Sequence, residues 1–171
     1  MRVQRLQTLV VGAVLMLAAT TAYAQQPAAA PPPPPPPPYG PAITLEQAKK
    51  VMAGAEAEAN KNKWNVVMVV LDSGGNLVML QRMDGAQFGS IEVAREKAYS
   101  AVAFRRPTKA FEEALGQGGA NLRILRLPGA SPLEGGLPIV VDGKLIGAVG
   151  VSGVLATQDA QIGRAGIEAL K

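Results

Sequence analysis

The sequence predicts an α+β fold, in which two β-hairpins form one antiparallel sheet and helices pack on it. Two observations predict this class. Apolar, strand-like runs flank turn sequences at Asp72–Asn76 and at Asp142–Gly143, and Asp-Gly favours the positive φ angles of a tight hairpin turn. Elsewhere, apolar residues recur three and four positions apart, which is typical of amphipathic helices. The predicted order of elements is therefore α-β-β-α-α-β-β-α.

The first helix is predicted to begin after Thr44, whose hydroxyl is able to cap the amide of Gln47 while the Gln47 side chain returns the bond. It is expected to end near Asn60. A hairpin follows, with strands at 66–71 and 77–83. Because the first of these strands is continuously apolar, it is predicted to lie in the centre of the sheet.

The middle of the chain is predicted to hold two helices. Ser90 is expected to cap the first, which ends before Pro107 because proline disfavours helical geometry at the preceding residue. Thr108 is expected to cap a second, short helix that ends at Gly116. Residues 116–137 are rich in Gly and Pro and are predicted to be mostly loop.

The second hairpin is predicted from strands at 138–141 and 144–152, and Thr157 is expected to cap a last helix over 158–170. The glycines of Gly147–Gly153 lie within a strand. A dinucleotide-binding loop needs them between strand and helix, so that function is excluded here. The glycines instead indicate bare backbone that another element, or a ligand, approaches closely.

Composition excludes much chemistry. The 171 residues include no Cys and no His, which excludes the usual zinc sites, thiolate nucleophiles, Ser-His-Asp triads and disulfides. A net charge of +4 is too small and too dispersed to indicate nucleic-acid binding. The adjacent Glu112 and Glu113 would point about 100° apart on a helix, so they form no acid-base dyad. The sequence therefore favours a binding protein over an enzyme, and no metal site is predicted.

The N-terminal residues 1–24 are typical of a signal peptide. Arg2 and Arg5 precede the apolar run Leu9–Ala19, and Ala22–Ala24 supplies a small-residue cleavage motif. The run is too short to cross a bilayer, which takes roughly 20 residues, so no integral membrane segment is predicted. We therefore expect an exported protein, either periplasmic or secreted.

A proline-rich spacer is predicted at 25–41, because Pro31–Pro38 is an unbroken run of prolines. Such a run forms a stiff polyproline II rod that cannot join a core. A ligand segment for a proline-binding partner is the alternative interpretation. The globular domain is predicted to be 42–171.

A bend after the second long helix concentrates groups that bind anions. Phe104–Thr108 carries two guanidiniums, an aromatic ring and a hydroxyl, and Lys97 precedes it. Arginine pairs bidentately with carboxylates and phosphates. A solvated helix end, where cations are favoured by the helix dipole, is the alternative.

Seven motifs in order give this chain a family resemblance. They are LEQA at 45–48, VLDSGGNL at 70–77, RMDGA at 82–86, KA at 97–98, FRRPT at 104–108, EGGLPIV at 134–140 and GAVGVSG at 147–153. Together they resemble the GlcG/HbpS-like family of small bacterial proteins over nearly all of 42–171. The resemblance implies an α+β layered domain that assembles into symmetric homo-oligomers, and some exported members bind haem. It does not imply one reaction, because other members accompany glycolate utilisation or are fused to corrinoid enzymes.

The first functional hypothesis is therefore an exported, oligomeric haem-binding protein that serves as an accessory in haem or iron handling. No His is available as an iron ligand, so the iron would take a weaker or rarer one. The predicted haem-binding residues are Arg105 and Arg106 for the propionates, Phe104 or Tyr99 against the ring, and Thr108, Lys97 or Tyr99 beside the iron.

Two alternatives come from other functional classes. One is an enzyme or carrier for a small organic acid, bound by Asp84, Lys97, Glu134 and Ser152. The other is a non-catalytic assembly module that the proline rod holds away from a surface.

Overall fold

The computed structural model describes residues 34–171, so the predicted signal peptide and most of the predicted spacer lie outside the described residues. The elements are α1 Leu45–Asn62, β1 Val67–Asp72, β2 Leu77–Arg82, α2 Ser90–Phe104, α3 Lys109–Gly116, a 3-10 helix Gly119–Arg126, β3 Gly136–Val141, β4 Lys144–Ser152 and α4 Ala156–Glu168. The predicted α+β class and the order of helices and strands are confirmed. The 3-10 helix lies in the stretch predicted to be mostly loop.

The two hairpins join into one four-stranded antiparallel sheet of order β2-β1-β4-β3. Strands β1 and β4 form the central pair, in which Val69 lies opposite Gly150. The predicted central place of β1 is thus confirmed. Its continuous apolar run is explained by burial on both faces of the sheet.

Alternate residues of the central strands serve two separate cores. Met68 and Val70 of β1 point to the face covered by α1 and α4, and Val67 and Val69 point to the face covered by α2. This alternation follows from the two-residue period of a strand. The molecule is therefore a three-layered domain with one helical layer on each side of the sheet.

Two local predictions are confirmed at atomic level. The Thr44 hydroxyl accepts a hydrogen bond from the Gln47 amide at 3.2 Å, and the Gln47 side chain accepts one from the Thr44 amide at 3.0 Å. At the β3–β4 turn, Asp142 has φ 48° and Gly143 has φ 73°, as a type I′ turn requires.

Three predicted helix caps are wrong. Ser90 is already the first residue of α2 and caps nothing. Thr108 precedes α3 as expected, but its hydroxyl makes no cap and instead accepts a hydrogen bond from the Gly136 amide at 3.0 Å. Thr157 lies inside α4, and there the Leu155 amide donates to the Gln158 side chain at 3.2 Å. In the first two cases a long-range hydroxyl bond replaces the local one.

Close approach between α2 and the sheet explains a glycine of β4. A Cβ atom at Gly150 would overlap the carbonyl oxygen of Ala94 and lie 2.6 Å from the amide of Ala98. Bare backbone lets the helix lie directly on the strand. The sequence left open whether these glycines allow close approach by another element or by a ligand, and at Gly150 the approaching element is helix α2.

The chain before α1 also pairs with the sheet. Gly40 donates its amide to the Leu145 carbonyl at 2.7 Å, and Ile43 donates to Ile146 at 2.8 Å. Residues before 42, the predicted start of the globular domain, therefore contact the sheet. The domain boundary itself stays a prediction. None of the helices described between residues 34 and 171 combines the length and the apolar composition of a membrane span.

Candidate functional site

A cavity of about 430 Å³ opens between α2, the β1–β2 turn and the loop that follows the 3-10 helix. Its volume falls within the range of about 300 to 1,000 Å³ that is typical of small-molecule sites. It is lined by Leu71, Gly75, Glu92, Arg95, Glu96, Tyr99, Gly129, Ala130 and Ser131. Of the predicted haem-binding residues, Tyr99 is the one in this lining.

Two glycines hold the Tyr99 ring between them. A Cβ atom at Gly129 would lie 2.8 Å from one ring carbon of Tyr99, and one at Gly75 would lie 3.3 Å from another. Both glycines have positive φ, at 78° and 82°, a conformation that favours glycine. The ring is therefore fixed on both edges while 47% of the residue stays exposed.

Charged side chains of α2 line the same cavity. Arg95 lies one helical turn before Tyr99, and its guanidinium is 4.0 Å from the Glu92 carboxylate. Both side chains are largely exposed, so this pair is weak and readily exchanged for another partner. A ligand carboxylate is able to compete for Arg95.

A second cavity of about 250 Å³ also has Tyr99 in its lining. Tyr39, Val102 and Gly75 line it together with Tyr99. The Arg105 guanidinium lies 5.3 Å from the centre of the Tyr39 ring, which is a cation–π contact. The two cavities share Gly75 and Tyr99, and Arg105 contacts Tyr39, so Arg95, the two tyrosines and Arg105 belong to one surface region.

The predicted arginine pair does not converge on one site. Arg105 ends α2 with φ 52°, which turns the next residue away. Arg106 lies 5.7 Å from the Phe111 ring centre and donates to the Phe104 carbonyl at 3.2 Å. Phe104 packs edge-on against Phe111, with ring centres 5.0 Å apart. Arg106 and Phe104 therefore face α3, whereas Arg105 faces Tyr39.

Lys97 lies in the interior, held by protein groups. Its ammonium donates to Asp159 at 2.8 Å and to the Val151 carbonyl at 3.0 Å, and both charged side chains are buried. Burial raises the pKa of the Asp159 carboxyl, while the hydrogen bond and charge of Lys97 oppose that rise. This arrangement provides structural support between helices.

Thr108 and Glu134 are also buried and partnered. Thr108 is fully buried, and its hydroxyl and amide both bond to the backbone of Gly136. The Glu134 carboxylate accepts from Lys109 at 3.0 Å and lies 3.8 Å from Arg164. The hydrogen bond to Glu134 raises the pKa of the Lys109 ammonium. Thus, among Thr108, Lys97 and Tyr99, the tyrosine presents its side chain to a cavity.

The residues predicted for a small organic acid fall in separate places. The buried Ser152 hydroxyl donates to the Ser90 hydroxyl at 3.1 Å. Asp84 lines another hollow of about 370 Å³ that includes Arg82 and Asn65. Lys97 and Glu134 are partnered as described above. Among residues 34–171, no three carboxylate side chains converge as a metal site.

Arg95 and Tyr39 both lay outside the sequence-based predictions. Arg95 precedes Tyr99 by four positions, and residues at that spacing share a helix face. This signal was available in the sequence. Tyr39 falls in the predicted spacer, and no local pattern indicates its contact with α2.

The comparisons identify relatives over the globular part of the chain. A family model described as haem degrading protein HbpS-like matches residues 43–168. Protein GlcG of Escherichia coli K12 is 41% identical over 110 residues, covering 64% of this chain and 81% of the relative. The corrinoid adenosyltransferase PduO of Salmonella typhimurium is 31% identical over 132 residues, covering 75% of this chain and 39% of the relative.

Solved structures of similar fold include proteins of the same family. The protein ORFY of Klebsiella pneumoniae has a TM-score of 0.73 and 31% identity, covering 77% of this chain and 92% of that one. HbpS has a TM-score of 0.71 and 33% identity, and the match covers 77% of this chain and 92% of HbpS. A PduOC:heme complex has a TM-score of 0.68 and 28% identity, and the match covers 75% of this chain and 94% of the PduOC chain.

Proposed function

The chain belongs to the HbpS-like family, and from that membership we propose that it binds haem on the surface around Tyr99. A relative of the same fold is described as a complex with haem. The observation that carries the proposal is the half-exposed Tyr99 ring, held between Gly75 and Gly129 at the mouth of the 430 Å³ cavity.

The donor set around Tyr99 fits haem. A tyrosine oxygen is one of the protein ligands that haem iron accepts, and it needs no histidine. Arg95 and Arg105 place a guanidinium toward each end of the surface, and guanidiniums pair with carboxylates such as the propionates. Leu71 and Ala130 add apolar lining. Bound haem would supply iron redox chemistry, and the protein's contribution is to orient it and shield one face.

Export and assembly are further parts of the proposal. The signal sequence of residues 1–24 supports export to the periplasm or the medium. Membership of the family supports a homo-oligomer that acts as an accessory in haem or iron handling. N-terminal sequencing of the exported product and a mass measurement in solution test these two parts. A retained leader contradicts cleavage, and a monomeric mass contradicts assembly.

Adjacent arginines provide a matched test of the haem site. Haemin binding is followed by absorbance, and we expect the full chain to bind haemin saturably. The affinity of Arg105→Gln is expected to be lower by about tenfold or more, because a charge-assisted hydrogen bond is lost. The control is Arg106→Gln, since Arg106 faces Phe111 instead. That variant is expected to bind like the unmodified chain.

Two results would overturn this assignment. A non-saturating absorbance change for the unmodified chain would contradict haem binding itself. Equal losses in Arg105→Gln and Arg106→Gln would place the site at the bend and away from Tyr99.

A further inference from the structure

The last residues of the proline-rich segment lie against the proposed haem site. We name Pro37–Gly40 the strap. Its backbone pairs with the start of β4, where Leu145 donates its amide to the Pro38 carbonyl at 2.9 Å and accepts from the Gly40 amide at 2.7 Å. The strap therefore has a defined register on the sheet.

The side chain of Tyr39 anchors the strap to α2. Its hydroxyl lies 3.1 Å from the carbonyl oxygens of both Val102 and Ala103. These carbonyls belong to the last turn of the helix, whose oxygens lack partners within the helix. Tyr39 thus supplies a partner that the helix end needs, while half of the residue remains exposed.

The strap also orients Arg105. The guanidinium donates to the Pro37 carbonyl at 3.3 Å and lies over the Tyr39 ring at 5.3 Å. An arginine held by a carbonyl and an aromatic face loses little further side-chain freedom when it binds a carboxylate. The segment before the domain therefore positions the cation that we assign to a propionate.

Tyr39 and Tyr99 face one cavity of about 250 Å³. From this geometry we infer that the strap forms one wall of the haem site and that Tyr39 contacts the ligand. The inference rests on the proposed function. It predicts that losing the Tyr39 ring speeds ligand release, because the bound ligand loses aromatic contact and the strap loses its anchor.

The test is the rate at which the haemin-loaded full chain transfers haemin to excess apomyoglobin. We expect Tyr39→Ala to transfer about tenfold faster than the unmodified chain. Tyr39→Phe keeps the ring and is expected to change the rate less than Tyr39→Ala does. Phe88→Ala is the matched control, because Phe88 is an aromatic residue that is 82% exposed and absent from the linings of both cavities.

Hydrogen exchange on the unmodified chain gives a second measurement that requires no variant to fold. The Gly40 amide donates to the Leu145 carbonyl and the Leu145 amide donates to the Pro38 carbonyl, and we expect the exchange of both amides to slow when haemin is added. The control is the Thr44 amide, which bonds within its own helix cap and is expected to exchange at an unchanged rate.

The outcomes separate this inference from the proposed function. Saturable haemin binding with equal transfer rates for Tyr39→Ala and the unmodified chain, or with unchanged Gly40 and Leu145 exchange, would overturn the strap and leave haem binding in place. Absence of saturable binding would overturn both.

Discussion

The Lys97 ammonium lies 2.8 Å from the Asp159 carboxylate across 62 positions of sequence, and both side chains are almost fully buried. Lys97 belongs to α2 and Asp159 to α4, which cover opposite faces of the sheet. The pair therefore joins the two helical layers. The Val151 carbonyl and the Val154 amide complete the hydrogen bonding of the two charges.

Removing one partner of this pair is expected to be costly. Lys97→Met keeps most of the side-chain volume but leaves the Asp159 carboxylate buried without its cation. We expect the free energy of unfolding to fall by about 3 to 5 kcal/mol, measured by urea denaturation. The double variant Lys97→Met with Asp159→Leu is expected to recover part of the loss, because no charge is then left buried. A loss below about 1 kcal/mol in Lys97→Met would contradict the pairing.

The helix-to-sheet approach at Gly150 gives a second stability prediction. Gly150→Ala places a Cβ atom against the Ala94 carbonyl oxygen, so α2 must shift. We expect a loss of at least about 1 to 3 kcal/mol in thermal or urea unfolding. Gly116→Ala is the control, since a Cβ atom there meets nothing within 4 Å. It should be neutral or slightly stabilising, and equal losses in both variants would refute the packing argument.

The elements of this fold were predictable because their signals are local. The capping box at Thr44 and Gln47, the Asp142–Gly143 turn and the apolar run of β1 each depend on neighbouring residues. Two of the three wrong cap predictions, those at Ser90 and Thr108, failed for the same reason. The hydroxyls of Ser90 and Thr108 bond to Ser152 and Gly136, which are distant in sequence, and no local pattern reports such partners.

The role of Thr108 is open to a direct test. Thr108→Val keeps the shape of the side chain but removes the acceptor of the buried Gly136 amide. We expect a loss of about 1 to 3 kcal/mol in unfolding free energy, with haemin affinity unchanged. Thr108→Ser retains the hydroxyl and should lose less. Weaker haemin binding in a well-folded Thr108→Val would instead place this hydroxyl at the ligand.

Asp72 gives a pH-dependent prediction. Burial alone would raise the pKa of Asp72, but hydrogen bonds from Asn76 and Gly74 outweigh it and hold the pKa below its ordinary value of 3.8. A carboxyl with a lowered folded-state pKa contributes stability above its unfolded-state pKa and loses it as pH falls through the folded-state value. The turn is exposed, so the contribution is about 1 kcal/mol or less.

The matched variant for that prediction is Asp72→Asn, which keeps an acceptor for the Gly74 and Asn76 amides. Its urea midpoint should fall less steeply than that of the unmodified chain below about pH 4. Identical slopes would show that Asp72 does not lower its pKa on folding.

The candidate site was only partly predictable for a geometric reason. Tyr99 and Arg105 were singled out from sequence, and they lie on one surface. Arg106 and Phe104 adjoin Arg105 in sequence, yet both contact Phe111 of α3, whereas Arg105 contacts Tyr39. Tyr39 precedes Val102 by 63 positions in the sequence, yet its hydroxyl contacts the Val102 carbonyl at the end of α2. Such contacts depend on the assembled fold.

The most direct test of the account is a haemin titration of the full chain beside Tyr99→Phe, followed by absorbance. Removing the phenol oxygen keeps the ring between Gly75 and Gly129, so the fold is expected to be unchanged. We predict saturable binding by the unmodified chain, and for Tyr99→Phe a shifted Soret band and an affinity lower by about tenfold or more. Equal affinity and an identical spectrum in the two proteins would contradict it.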